Sequence, residues 1–290
     1  MEDRGKIIIF GSNGMVGREC ARAFAGSGDV VLLTHADCDI TDATAVAAIF
    51  AVHRPAVVIN CAGMIDVGAC EKNSELARQV NADGPRTIAE ALRNQPVTDV
   101  TFVQMSTAYV FDGTQQVYFE DDEPNPINVY GATKFEAEQQ ITSILTNTAI
   151  RYYIVRTGWL YSEFKKTFVD MVVELVRAGK PFTAVTDQWG EVTWTRQLAE
   201  AMQSLVFDMP HHPAGVYHLT NASAQPVSKY EIAVACAAAM GADQALIVPG
   251  ESEAVLTVQR PRYSHLRTNK GAALPPWYEA LSEYLKQQYG

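Results

Sequence analysis

The chain has 290 residues, 48% of them hydrophobic and 19% charged, with a formal net charge of -10. That is enough apolar material for one large core or two unequal domains, and the acidic balance leaves no basic face for nucleic acid or anionic lipid. Five scattered cysteines without Cys-x-x-Cys spacing (Cys20, Cys38, Cys61, Cys70, Cys236) indicate neither a disulfide framework nor a zinc site, and no run approaches the roughly 20 apolar residues that span a bilayer. A cytoplasmic protein without a membrane partner is expected.

Lys6-Ile7-Ile8-Ile9-Phe10 is β-branched, apolar on both faces and ends at glycine, the pattern of a buried parallel strand. Gly11-Ser12-Asn13-Gly14-Met15-Val16-Gly17 follows, with a helix expected from Met15 to Ala25. Gly-x-x-Gly-x-x-Gly between strand and helix lets the backbone turn sharply, approach a pyrophosphate without a Cβ clash and aim free N–H groups at it. Gly11, Asn13, Gly14, Met15, Val16 and Gly17 therefore form a candidate dinucleotide cradle. The second strand, Val30 to Leu33, ends in Thr34-His35-Ala36 rather than in an acid that would grip a ribose 2′-hydroxyl. Arg18 and His35 can face a 2′-phosphate instead, which inclines the choice to NADPH over NADH. Asp39 and Ile40 are placed to meet the adenine. A helix over Ala43–Val52 and a strand over Ala56–Asn60 lead to Cys61-Ala62-Gly63, small residues that let a cofactor come close.

A helix from about Ser74 to Asn94 precedes the strand Thr101–Met105, which delivers Ser106 and Thr107 to the sheet edge where open α/β folds bind ligands. The polar loop from Asp112 to Asn128 carries the acid run Glu120–Glu123, expected to be solvated. A helix from Gly131 to Leu145 then presents Tyr130 and Lys134, four apart, on one face. The ammonium can stabilise the phenolate and bring a pKa of about 10 toward working pH. Hydride from a nicotinamide would attack a carbonyl carbon while Tyr130 protonates the oxygen, Thr107 polarises it and Lys134 holds the nicotinamide ribose. No metal is required by this chemistry. After the strand Tyr152–Arg156 the alternation weakens, with helices expected at Phe168–Ala178, Gln197–Phe207, Lys229–Met240 and Tyr278–Gln288. His211-His212, between Pro210 and Pro213, fits a surface loop better than a metal site. The fold class expected is α/β. A Rossmann-type doubly wound parallel sheet spans residues 1–160, and a smaller, mainly substrate-binding α/β region spans 161–290, with late elements returning to the sheet.

Six blocks carry a resemblance: Val58–Gly63, Ser106–Gly113, Pro126–Lys134, Arg156–Tyr161, Thr186–Gly190 and Arg260–Ser264. In this order, over nearly the whole chain, they resemble an extended short-chain dehydrogenase/reductase and are most similar to the dTDP-4-dehydrorhamnose reductase family. The resemblance implies NAD(P)H-dependent reduction of the C4 keto group of a nucleotide-activated 6-deoxy sugar. It carries catalytic roles to Thr107, Tyr130 and Lys134 and a sugar contact to Trp159. It also draws Arg260 to the site, because a nucleotide diphosphate needs cations and guanidinium binds phosphate bidentately.

Two departures stand out. Ala108 occupies the position where the family usually has an acid associated with the reacting sugar, which leaves the sugar open. Glu191-Val192-Thr193 replaces the usual small residue followed by proline. Two other functions stay open on the same scaffold. One is a non-catalytic regulatory subunit like the methionine adenosyltransferase β subunit, against which an intact Thr107, Tyr130 and Lys134 set argues. The other is a sugar-nucleotide epimerase. Dehydration is disfavoured, because the Asp-Glu pair of dehydratases is here Ala108-Tyr109. Some relatives form metal-bridged dimers, which leaves a homodimer open, but no acidic cluster identifies ligands.

Overall fold

Successive side chains of a strand point to opposite faces, so a strand apolar on both needs a layer on each. The computed structural model, which describes residues 5–95, 99–208, 212–254, 257–271 and 274–290, has that arrangement. β1 (Lys6–Phe10), α1 (Met15–Phe24), β2 (Asp29–Leu33), α2 (Ala43–His53) and β3 (Pro55–Asn60) alternate as expected. Two short helices, α3 (Val67–Lys72) and α4 (Ser74–Arg78), follow, then a π-helical segment Gln79–Asp83, α5 (Gly84–Arg93) and β4 (Thr101–Met105). α6 (Val129–Leu145) and β5 (Arg151–Arg156) continue the alternation. Later elements include β6 (Trp159–Tyr161), α7 (Phe168–Arg177), β7 (Phe182–Val185), β8 (Trp189–Gly190), β9 (Val192–Trp194), α8 (Thr195–Phe207), β10 (Gly215–His218), α9 (Lys229–Ala239) and α10 (Trp277–Tyr289).

Six parallel strands form the main sheet in the order β10-β5-β4-β3-β1-β2. Ile7, Ile9, Ile59 and Val103 meet α1 and α8 on one face through Phe24, Leu198 and Met202. Ile8, Phe10, Val58 and Phe102 meet α2, α5 and α6 on the other through Phe50, Ile88 and Ile141. Because β10 pairs with β5 and α8 packs on α1, chain beyond residue 160 helps build the main sheet and one of its covering layers. A separate core joins α7, α9 and α10 around Val173, Ile232, Leu281 and Tyr284.

Two expectations are corrected. The helix from Ser74 to Asn94 is broken by the π-helical segment, and α3 precedes it, N-capped by Asp66, whose carboxylate accepts the Ala69 N–H at 2.7 Å. The acid run is not all solvated: Glu120 is buried and accepts from the His218 and Asn269 N–H groups, each at 3.1 Å, and from the Thr268 hydroxyl. Three donors compensate its lost hydration, so the loop is tied to β10 by a carboxylate. Pro210 and His211 lie outside the described residues, while His212 is half-buried with its ring edge-on to Tyr217.

One close approach positions the site. α6 rests on the turn Ala108–Val110, where a Cβ on Gly131 would lie 2.0 Å from the Tyr109 carbonyl oxygen. Gly131→Ala must push the helix away, and urea unfolding is expected to show a loss of about 1–3 kcal/mol. An unchanged midpoint and slope would contradict this packing.

Candidate active site

The glycine turn has its composition for steric reasons. Gly11 has φ +69°, and a Cβ on Gly17 would lie 2.2 Å from the Gly11 carbonyl oxygen. Gly14 caps α1 without a side chain to satisfy the first-turn amides, which suits a phosphate at this helix start. The turn opens onto a cavity of about 700 Å³ whose walls include Gly11, Asn13, Gly14, His35, Asp39 and Ile40. Asp39 accepts the Thr41 N–H at 2.9 Å and hydroxyl at 2.8 Å, and these bonds hold its carboxyl below the usual range. Asp37 is engaged in its own turn, accepting the Thr34 N–H at 2.9 Å and hydroxyl at 2.7 Å. Arg18 bonds the Asn13 carbonyl at 3.2 Å and stacks 5.5 Å from the Phe164 ring; unlike His35, it is not among the wall residues.

A second cavity of about 180 Å³ shares Gly14, Cys61, Ala62 and Gly63 with the first. Met15 and Val16 line it too, and it brings together Ser106, Thr107, Tyr130 and Lys134. β4 and β5 stay paired past their ends, the Ser106 N–H donating to Val155 at 2.7 Å and the Ala108 N–H to Thr157 at 2.9 Å, which fixes Thr107 at the sheet edge. Asn128 caps α6 by accepting the Gly131 N–H at 2.8 Å, fixing the turn that carries Tyr130. The Thr107 hydroxyl hydrogen-bonds the Tyr130 phenol and accepts the Tyr109 N–H at 3.2 Å.

Charge in this pocket departs from the sequence expectation. Burial pushes the Tyr130 phenol up to about 12, with the Thr107 bond working against it, rather than down toward working pH. Burial also pushes the Lys134 ammonium down to about 8, against the opposing pull of Glu138. The reason is shared, since a low-dielectric site disfavours whichever form is charged. At neutral pH the phenol therefore carries its proton.

Sequence reasoning missed three residues. Asn81, fully buried on the π-helical segment, accepts the Met64 N–H at 2.8 Å and donates to the Met64 carbonyl at 2.9 Å and the Thr133 hydroxyl at 3.3 Å. It thus ties the segment after Gly63 to α6 beside Lys134; π segments often mark functional sites. Glu138 and Arg156 form a buried pair behind Lys134. An amide and a carboxylate on apolar helix faces were the available signals.

Other expected residues lie elsewhere. Ala108 is buried with Val110, Phe111 and Tyr118, outside the pocket wall. Trp159 sits between the wall residues Gly158 and Leu160, with its ring 4.9 Å from the Lys229 ammonium. Arg260 lines two outer clefts, one with Gln188 and Arg262, the other with Asp66 and Gly68, and its buried Nε has no partner among the described residues. Glu191 is accounted for by burial against His265, 2.7 Å from Nε2, and by accepting the Leu266 N–H at 3.0 Å. Among the described residues no group of three or more His, Cys, Asp or Glu could hold a metal, and no helix is long and apolar enough to cross a membrane.

A glycine-turned cleft running into a Thr, Tyr and Lys set at the carboxyl edge of a parallel sheet places this chain in the short-chain dehydrogenase/reductase class of nucleotide-binding oxidoreductases. Residues 5–289 match the RmlD substrate binding domain family, and the chain belongs to that family. It is 37% identical over 290 residues to a dTDP-4-dehydrorhamnose reductase of Streptomyces griseus, covering 97% of this chain and 93% of that protein. It is 35% identical over 284 residues to the dTDP-4-keto-6-deoxy-D-glucose reductase of Streptomyces niveus, covering 95% of each. The crystal structure of dTDP-4-dehydrorhamnose reductase from Bacillus anthracis in complex with NADP superposes with a TM-score of 0.89 at 29% identity, covering 98% of this chain and 99% of that one.

Cys61 is half-buried on the shared wall, whereas the other four cysteines are buried. Iodoacetamide should therefore modify Cys61 first, and NADPH or NADH should slow that reaction. Equal labelling with and without cofactor would place the dinucleotide elsewhere.

Proposed function

We propose that this protein reduces the C4 keto group of a nucleotide-activated 4-keto-6-deoxy sugar with NAD(P)H, using Tyr130 as the proton donor. The observation that carries this reading is that Thr107, Tyr130 and Lys134 share one small pocket whose wall continues into the cofactor cleft. A reduced nicotinamide bound along that wall supplies the hydride to the carbonyl carbon. Thr107 hydrogen-bonds the carbonyl oxygen, and Tyr130 passes it the phenolic proton as charge develops there. The Lys134 ammonium offsets the phenolate left behind and holds the nicotinamide ribose hydroxyls. A purely regulatory binding role has no use for this set.

For the substrate, the dTDP-sugar reductases named above set the class. The diphosphate is assigned to Arg260 and Lys229. Neither cation has a carboxylate partner among the described residues, and burial together with the Arg260 charge pushes the Lys229 ammonium down to about 8. The Trp159 indole N–H beside them is buried without an acceptor among the described residues. Unpartnered donors around one spot suit a phosphate. NADPH is favoured over NADH because Asp37 is occupied in its turn while His35 faces the cleft. Five free cysteines fit a reducing cytoplasm.

Tyr130→Phe is expected to lower kcat by about 10²- to 10⁴-fold without weakening cofactor binding; near-normal turnover would remove the assigned acid. Because the Lys134 pKa is lowered to about 8, its charged form predominates below that value and is lost above it, so kcat should hold at neutral pH and fall as pH rises through that value. A flat profile well above it would show that the ammonium is not needed. Lys229→Met and Arg260→Met should each raise KM for the sugar nucleotide by about 10- to 100-fold with little change in kcat; unchanged KM in both would move the diphosphate elsewhere.

A further inference from the structure

Behind Lys134 lies a buried ion pair that the chemistry above does not use. Glu138 stands one helical turn after Lys134 on α6, and Arg156 ends β5; their side chains are 4% and 3% exposed. Arg156 grips the carboxylate with Nη2 at 2.6 Å from Oε2 and Nε at 3.0 Å from Oε1, and the Ser106 hydroxyl donates to Oε1. The guanidinium is itself seated 5.0 Å from the Phe111 ring. Burying such a pair costs about as much in lost hydration as it returns in attraction. Stability alone therefore does not account for it.

Its placement does. One oxygen of Glu138 is tied to Ser106, in the pocket wall beside Thr107, and the same carboxylate is the largest influence opposing the loss of the Lys134 proton. We infer that Glu138, clamped by Arg156, is a positioning residue of this enzyme: it keeps Lys134 charged beside Tyr130 and anchors Ser106 at the cofactor wall. The other titratable groups around it are Cys61 after β3 and Cys70 on α3, both facing Lys134, and His218 on β10, which faces Arg156, with its ring Nδ1 2.8 Å from the Arg267 carbonyl and its backbone N–H donated to Glu120. Burial holds His218 near 4, so it is neutral over the working range.

This inference rests on the proposed reduction, and its test is arranged to separate the two. In Glu138→Gln the ammonium loses the carboxylate that most opposes its deprotonation, so the alkaline fall of kcat should move about one unit toward acid while KM for the cofactor changes little. Saturating substrate keeps Lys229 out of that limb. A merely structural role would lower thermal stability and leave the limb where it is, and Glu138→Asp, which restores the charge, should bring the limb back. If Glu138→Gln does not fold, the double variant Glu138→Gln/Arg156→Met, which strands no buried charge, should show the same displacement. The second readout needs no substrate. Acetic anhydride labelling of Lys134 in cofactor-free protein, followed by peptide mass spectrometry across pH, should have its midpoint moved to lower pH in the same variants. If the wild-type protein does not reduce the sugar nucleotide, the proposed function falls and the labelling still decides the role of Glu138. An unmoved limb and an unmoved labelling midpoint overturn the inference.

Discussion

The chemistry assigned to this chain depends on backbone packed against backbone. α6 lies on the turn Ala108–Val110 with nothing between them at Gly131, so the phenol of the preceding residue is carried to the hydroxyl of Thr107. Both partners are fixed independently, Thr107 by the pairing of β4 and β5 beyond their ends and Tyr130 by the Asn128 cap. The proposed proton donor and carbonyl-orienting hydroxyl thus meet across packed backbone. Such prearrangement favours the transition state because nothing has to be ordered at the moment of reaction.

The same tight packing sets the charges. Burial holds the proton on Tyr130, as an acid needs, but loosens the one on Lys134, which must keep its proton to stay charged. The buried carboxylate of Glu138 opposes only the second effect. The outer clefts hold Arg260, which has no carboxylate partner among the described residues, beside carboxylates of their own, Asp187, Glu251 and Glu253 in one and Asp66 and Glu71 in the other.

Much of this was legible in the chain itself. The double-faced apolar pattern of Ile7 to Phe10 specified a two-sided parallel sheet, and the glycine spacing specified a cradle, because each depends on local geometry alone. The break between α4 and α5 had a signal in Gly84-Pro85, since proline cannot continue a helix from the preceding turn; what the sequence did not show is the π-helical segment, which is held by the partners Asn81 finds at Met64 and Thr133. The burial of Glu120 escaped notice for the same reason: its donors come from residues about a hundred or more positions away. Glu191, a departure when read against the family pattern, is buried and accepts the Leu266 N–H, also distant in sequence. Ala108 shows the converse. Position along the chain placed it at the substrate, but the turn directs it into the core beside Phe111.

The central claim is that this pocket transfers one hydride to C4 and protonates only the oxygen. It is tested most directly by following the isotope when the purified protein acts on dTDP-4-keto-6-deoxyglucose with NADPH deuterated at the transferable C4 position. The account predicts a product with one deuterium at the sugar C4 and none taken from heavy water at C3 or C5 beyond an enzyme-free control. Solvent deuterium at either ring carbon, or a product formed without oxidation of the cofactor, would contradict it.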